Sequence, residues 1–146
     1  MNSQVTAMKR IGPTLTPELA GFIDSFSRLA LELPGRMAAA GIEIEETEAR
    51  MRELARQGMI RAAQHWRTSR RNVRYLTLVF SADASGKCSR KYIGKDPVKV
   101  QEALDALHRA VEYDRLNKRL QRLMEGLFAG ACDIFAASRR LASVRY

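Results

Sequence analysis

The stretch Arg70 to Asp96, RRNVRYLTLVFSADASGKCSRKYIGKD, reads as a β-hairpin. From Val73 to Phe80 every residue except Arg74 is β-branched, aromatic or aliphatic, which is strand composition. Asp83-Ala84-Ser85-Gly86 is a turn signal, with Gly86 free to take a positive φ. Cys88 to Ile93 is the returning strand, closed by Gly94. Successive side chains of a strand point to opposite faces. Arg74, Leu76, Leu78 and Phe80 therefore share one face, the expected core side, with Arg74 at its edge. Val73, Tyr75, Thr77 and Val79 share the other. On the returning strand Arg90 and Tyr92 lie on one face, and Ser89, Lys91 and Ile93 on the opposite one.

The hairpin region also holds the charge. Between Arg61 and Lys95 stand nine basic residues and one acid, Asp83, a net of +8 in a chain whose total is +9. Surplus charge packed into one segment is the electrostatic footprint of a polyanion partner. Nucleic acid is the commonest such partner, because each neutralised phosphate releases counterions. The plain alternative is a solvated basic face with no ligand. Arg74, Arg90, Lys91 and Lys95 are expected to contact phosphates or bases, with Tyr75 and Tyr92 beside them. Arg67, Arg70 and Arg71 extend the footprint, and Arg61 and Lys87 lie within it. A β-ribbon fits the major groove of B-DNA. Tyr75 or Tyr92 can instead stack on unpaired bases, or simply on each other across the strands. Trp66 sits among Arg61, His65, Arg67, Arg70 and Arg71, and is either a stacking platform or a half-buried anchor.

Outward from the hairpin, helices are expected on both sides. The 146 residues suit one domain over 16–146 after a flexible arm over 1–15, whose Met8-Lys9-Arg10 is weakly basic. The domain divides into a helical part (16–57), the basic hairpin (58–96) and a long C-terminal helix or helix pair (97–146). Thr16-Pro17-Glu18 is a helix start, with a capping Thr, Pro in the first turn and an acid at the positive dipole end. Leu19, Phe22, Ile23, Phe26, Leu29 and Leu33 recur at helical spacing, and Pro34-Gly35 is read as the stop. A second helix follows, in which Glu43, Glu45, Glu46 and Glu48 precede Arg50, Arg52 and Arg56. That order suits the dipole, and Glu46–Arg50 and Glu48–Arg52 are i,i+4 pairs. Gly58 ends it, and residues 59–66 are either helix or a third strand beside the hairpin.

Asp96-Pro97 caps the last helical region. Val100, Leu104, Leu107 and Val111 form one apolar stripe, expected under the hairpin. Tyr113, Leu116, Leu120, Leu123 and Leu127 form a second, on nearly the opposite side of a continuous helix. That second stripe is a candidate interface for the N-terminal helices, a partner or a second subunit. A kink over residues 112–115 would instead fold both stripes into one core. Gly126 and Gly130 mark either a close helix approach or a break.

On these residues a resemblance stands. Tyr75-Leu-Thr-Leu-Val-Phe, Gly86-Lys87 and Arg90-Lys91-Tyr92-Ile93-Gly94-Lys95, followed by a helix, resemble the AP2-like arm-binding domains of phage-type tyrosine recombinases. In those domains a small three-stranded sheet packed on one helix binds DNA. The same pattern, with Tyr113, Leu116, Leu120 and Leu123 behind it, resembles a family of small bacterial proteins associated with mobile elements. The resemblance covers about residues 58–124 and implies an accessory role in DNA recombination or transposition.

Other classes find little in the sequence. Cys88 and Cys132 lie far apart, which suits two reduced thiols and neither a disulfide framework nor a zinc site. His65 and His108 are the two histidines, and no catalytic triad, Walker loop or HExxH motif accompanies them. No run of 18 apolar residues is present and no apolar signal core opens the chain, so the expected location is cytoplasmic. The sequence therefore reads as an α+β, mostly helical, non-catalytic nucleic-acid-binding protein with no cofactor and no metal. Double-stranded DNA is the first choice of ligand. RNA on the same basic surface is one alternative, and a helical adaptor that docks a larger enzyme is another.

Overall fold

A computed structural model describes residues 16–144. The arm expected over residues 1–15 lies outside them. Helix α1 runs over Pro17–Gln57. Its start is as the sequence reads: the Thr16 hydroxyl accepts from the Leu19 amide at 3.3 Å, and Pro17 takes the first position. The expected pair of N-terminal helices is corrected to this single helix, which passes through Pro34-Gly35. Proline in a helix removes one donor, here the partner of the Ala30 carbonyl. Ala30 and its neighbours are exposed, so water can satisfy that carbonyl. Gly58, at φ 90°, then ends the helix as expected.

The sheet has three antiparallel strands in the order β1-β2-β3, with β1 Ala63–Thr68, β2 Arg74–Val79 and β3 Arg90–Gly94. Residues 59–66 thus lead into strand, not helix. Trp66 pairs with Leu76 and Arg67 with Tyr75, while Thr77 pairs with Tyr92 and Val79 with Arg90. A bulge at Leu76/Thr77 lets β3 finish at Gly94, whose φ is 101°. The turn at Asp83 forms as read. Its carboxylate accepts from the Ser85 amide at 2.9 Å, the Ser85 hydroxyl at 2.6 Å and the Lys87 amide at 3.1 Å. Gly86, at φ 81°, supplies the left-handed residue.

Helix α2 covers Pro97–Ala142 without a break, so the alternative of a kink at 112–115 does not arise and Gly126 and Gly130 lie within the helix. Asp96 caps it, accepting from the Val98 amide at 3.1 Å. Leu76 and Leu78 are fully buried and pack with Ala103 and Leu107, surrounded by Ile60, Trp66, Phe80, Ile93, Val100 and Leu104. This is the predicted core face of the hairpin on the first stripe of the helix, except that Val111 stays exposed. The Ile60 amide donates to the Ala106 carbonyl at 3.1 Å, and Arg109 Nε to the Gly58 carbonyl at 2.7 Å, which ties the entry to β1 onto α2.

The chain divides into two units, Met1–Ala39 and Ala40–Tyr146. In the first, the described residues after Thr16 are helix, and all but Leu33 are exposed. In the second, residues 40–57 of α1 run antiparallel to α2. Glu43 pairs with Arg119, and Arg50 Nε donates to Glu112 at 2.9 Å. The expected i,i+4 pairs Glu46–Arg50 and Glu48–Arg52 do not form: Arg50 reaches across to α2 instead, and Arg52 makes no ion pair among the described residues. No described helix is long and apolar enough to cross a membrane.

Candidate nucleic-acid interface

Residues opposite one another in an antiparallel pair share a face. With one face of the sheet packed on α2, the register puts Ala63, His65 and Arg67 of β1 on the other, with Tyr75, Thr77 and Val79 of β2 and Arg90 and Tyr92 of β3. The Tyr75 and Tyr92 rings stack at its centre, with centroids 6.3 Å apart and planes at 28°. Tyr75 is half-buried, while Tyr92 is 66% exposed. Arg67, Thr68, Ser69, Tyr75, Thr77 and Tyr92 line a shallow cavity of about 320 Å³. A sheet face covered by tyrosine rings and guanidinium groups offers π surfaces and cations together. Such a surface can stack on bases and neutralise phosphates.

The turn between β1 and β2 adds charge at one end of this face. The Ser69 amide donates to the Val73 carbonyl at 2.8 Å, and the Ser69 hydroxyl accepts from the Arg71 and Val73 amides, each at 3.3 Å. Asn72 takes φ 62°, which closes the turn. Arg70 and Arg71 are thereby held exposed at its tip. Lys95 follows β3 near the same end, since Gly94 pairs with Leu76. Lys87 lies in the β2–β3 loop, at the opposite end. Three donors hold the Asp83 carboxyl below its usual range, the Ser85 hydroxyl bond contributing most.

Not all of the sequence candidates meet there. Arg74 lies on the α2 side of the sheet, 4.6 Å over the Trp66 ring. Trp66 is partly buried against the core and donates from Nε1 to Gln64 at 3.1 Å, which makes it an anchor. Arg61 is engaged elsewhere, with its Nη2 donating to Asp114 at 2.9 Å and its guanidinium over the Tyr113 ring at 5.7 Å. Arg61 holds the Asp114 carboxyl below the usual carboxylate range, chiefly by that hydrogen bond, and Arg50 does the same for Glu112. Lys91 leans toward α2 and lines a cavity with Ile93, Lys99 and Glu102. The structure therefore gathers Arg67, Arg70, Arg71, Tyr75, Arg90, Tyr92 and Lys95 around one face, and sets Arg61, Trp66, Arg74 and Lys91 apart from it. His65 and Thr77 also belong to the face. His65 was missed because β1 has no apolar alternation from which its register could be read.

Among the second-stripe residues, Tyr113 and Leu120 line a cavity of about 300 Å³ with Met51 and Ala55 of α1. Leu116, Leu123 and Leu127 are half-buried. A cavity of about 720 Å³ runs between the Ala62–Gln64 edge and α2, where Leu107, His108, Val111 and Asp114 line it. Cys88 and Cys132 are both free and exposed. Comparison with protein-family models, curated proteins and solved structures found no match.

Proposed function

We propose that the chain is a non-catalytic nucleic-acid-binding protein that lays the open face of its sheet against double-stranded DNA. The observation that carries this reading is the stacked Tyr75–Tyr92 pair with Arg67 and Arg90 on the same exposed face. A sheet backed by a helix on its other side can enter a major groove, and its rim of cations then meets the phosphates on both sides. Arg67, Arg70, Arg71, Lys87, Arg90 and Lys95 have no ion-pair partner among the described residues, so their charge is available to an external anion. An accessory role in recombination or transposition is the context that the sequence resemblance supports.

Binding of the full chain to a random-sequence duplex over a salt series tests the proposal. The expected result is an affinity that falls steeply with salt, with a slope of about −5 for six neutralised phosphates. Absence of binding at low salt overturns it. The exposure of Tyr92 favours a second reading, in which unpaired bases of RNA or single-stranded DNA stack on the tyrosines. Competition among duplex DNA, single strands and RNA separates the two.

A further inference from the structure

We propose that α1 is the self-association surface of this protein, pairing antiparallel with α1 of a second copy through Leu19, Phe22, Ile23, Phe26, Leu29 and Leu33. The first five are 47%, 69%, 43%, 54% and 56% exposed, and Leu33 is half-buried. At about 100° per residue all six fall within roughly 60° of Phe26 around the helix axis. A helix gains most of its stability by burying such a stripe, and in the unit Met1–Ala39 the stripe faces water.

The sequence itself identifies the occupant, because five of the six residues are symmetric about Phe26, and the sixth, Phe22, falls level with the partner's Ala30, a small residue. Ile23 and Leu29 stand three residues to either side, and Leu19 and Leu33 stand seven. A two-fold axis at Phe26 sets Leu19 level with the partner's Leu33 and Ile23 level with the partner's Leu29. That is the pattern of an isologous interface. Charge selects the same direction. Glu18 and Arg36 are separated by about five helical turns and so flank the stripe on the same side. In the antiparallel pair Glu18 lies beside the partner's Arg36, offset by about 3 Å along the axis, and symmetry makes the contact twice. A parallel pair would leave the two Glu18 side chains on opposite flanks of the seam and set each Arg36 about five turns away from them. Within its own chain Glu18 has no ion-pair partner among the described residues, and Arg36 reaches the exposed Glu32 at 2.8 Å.

Sedimentation equilibrium of the full chain over a concentration series is the test, with Trp66 fluorescence to confirm that the sheet unit stays folded. The wild type is expected to dimerise. Phe26→Asp, which places two carboxylates together at the axis, should give monomer with unchanged Trp66 emission. Glu18→Arg and Arg36→Glu should each weaken the dimer roughly tenfold at low salt. The double variant E18R/R36E should recover the wild-type constant, a rescue that only the antiparallel arrangement gives. A monomeric wild type at roughly 100 µM overturns the proposal. So does a dimer that survives Phe26→Asp, or single reversals without effect, or a double variant without recovery.

Discussion

Replacing Arg67 and Arg90 by Ala should flatten the salt dependence of DNA binding, while replacing Arg61 by Ala should not. Arg67 and Arg90 lie on the open face and have no ion-pair partner among the described residues, whereas Arg61 is already bonded to Asp114 and sits over Tyr113. Each phosphate neutralised contributes about −0.9 to the slope of log affinity against log salt. Six available cations give about −5, and losing two leaves about −3.5. At 0.1 M salt that difference is roughly 50-fold in affinity. Arg61→Ala also lowers the net charge by one, but it releases Asp114 and removes no phosphate contact. Its slope should match the wild type. The assay is fluorescence anisotropy with a labelled duplex at four or more salt concentrations, on variants shown to be folded by Trp66 emission. An equal loss of slope in Arg61→Ala would refute the division of the basic residues into engaged and available sets. The segment would then act as a diffuse cloud of charge, and the sheet face would have no special part in it.

Three further outcomes follow from the packing. Leu78→Ala should cost about 3 kcal/mol in urea unfolding, because Leu78 is fully buried between the sheet and α2 and its removal leaves a cavity. Gly94→Ala should cost roughly 1–2 kcal/mol in thermal unfolding. The new Cβ would have room, 3.6 Å from the Tyr92 ring, but φ 101° is strained for any residue with a Cβ. Acid should weaken the hold of residues 40–61 on α2. Glu112 and Asp114 have carboxyls held below their usual range by Arg50 and Arg61. Their contribution is complete above the ordinary carboxylate range and is lost as pH falls through the depressed folded values. Urea midpoints between pH 5 and pH 2 should therefore fall less in a Glu112→Gln, Asp114→Asn double variant than in wild type.

Much of this fold was legible because its signals are local. Leu76 and Leu78 alternate with Tyr75 and Thr77, and the alternation alone separates the core face from the open face. The Asp96 cap, the Asp83 turn and the Gly58 stop each depend on one or two neighbouring residues, and each forms as read. What failed was of two kinds. Pro34-Gly35 carries a strong stop signal, yet the helix continues because the donor it loses belongs to an exposed turn. The ion pairs Glu43–Arg119 and Arg50–Glu112 join residues 76 and 62 positions apart, and no periodicity reports a contact that distant. The site shows a related limit. Alternation already sets Arg74 and Tyr75 on opposite faces, yet charge alone groups them in one interface, and what holds Arg74 away from it is the ring of Trp66 on the neighbouring strand.

The excess of positive charge admits an explanation without any ligand, and the placement of the charges weighs against it. An antiparallel sheet of three strands has two exposed edges, and basic residues along an edge deter pairing with another chain. Arg67 on β1 and Arg90 and Lys91 on β3 lie on those edge strands and can serve that purpose. Arg70 and Arg71 cannot, because they sit at the tip of a turn that offers no ladder to protect. Lys87 lies in a loop closed by the Asp83 bonds, and Lys95 falls between β3 and α2, so neither guards an edge. Solubility alone would be served as well by acids, yet the segment from Arg61 to Lys95 holds one acid, Asp83, and that carboxylate is occupied by its own turn. Cations at both ends of the sheet and on its open face, with two tyrosines between them, suit the polyanion proposed above better than the needs of an edge.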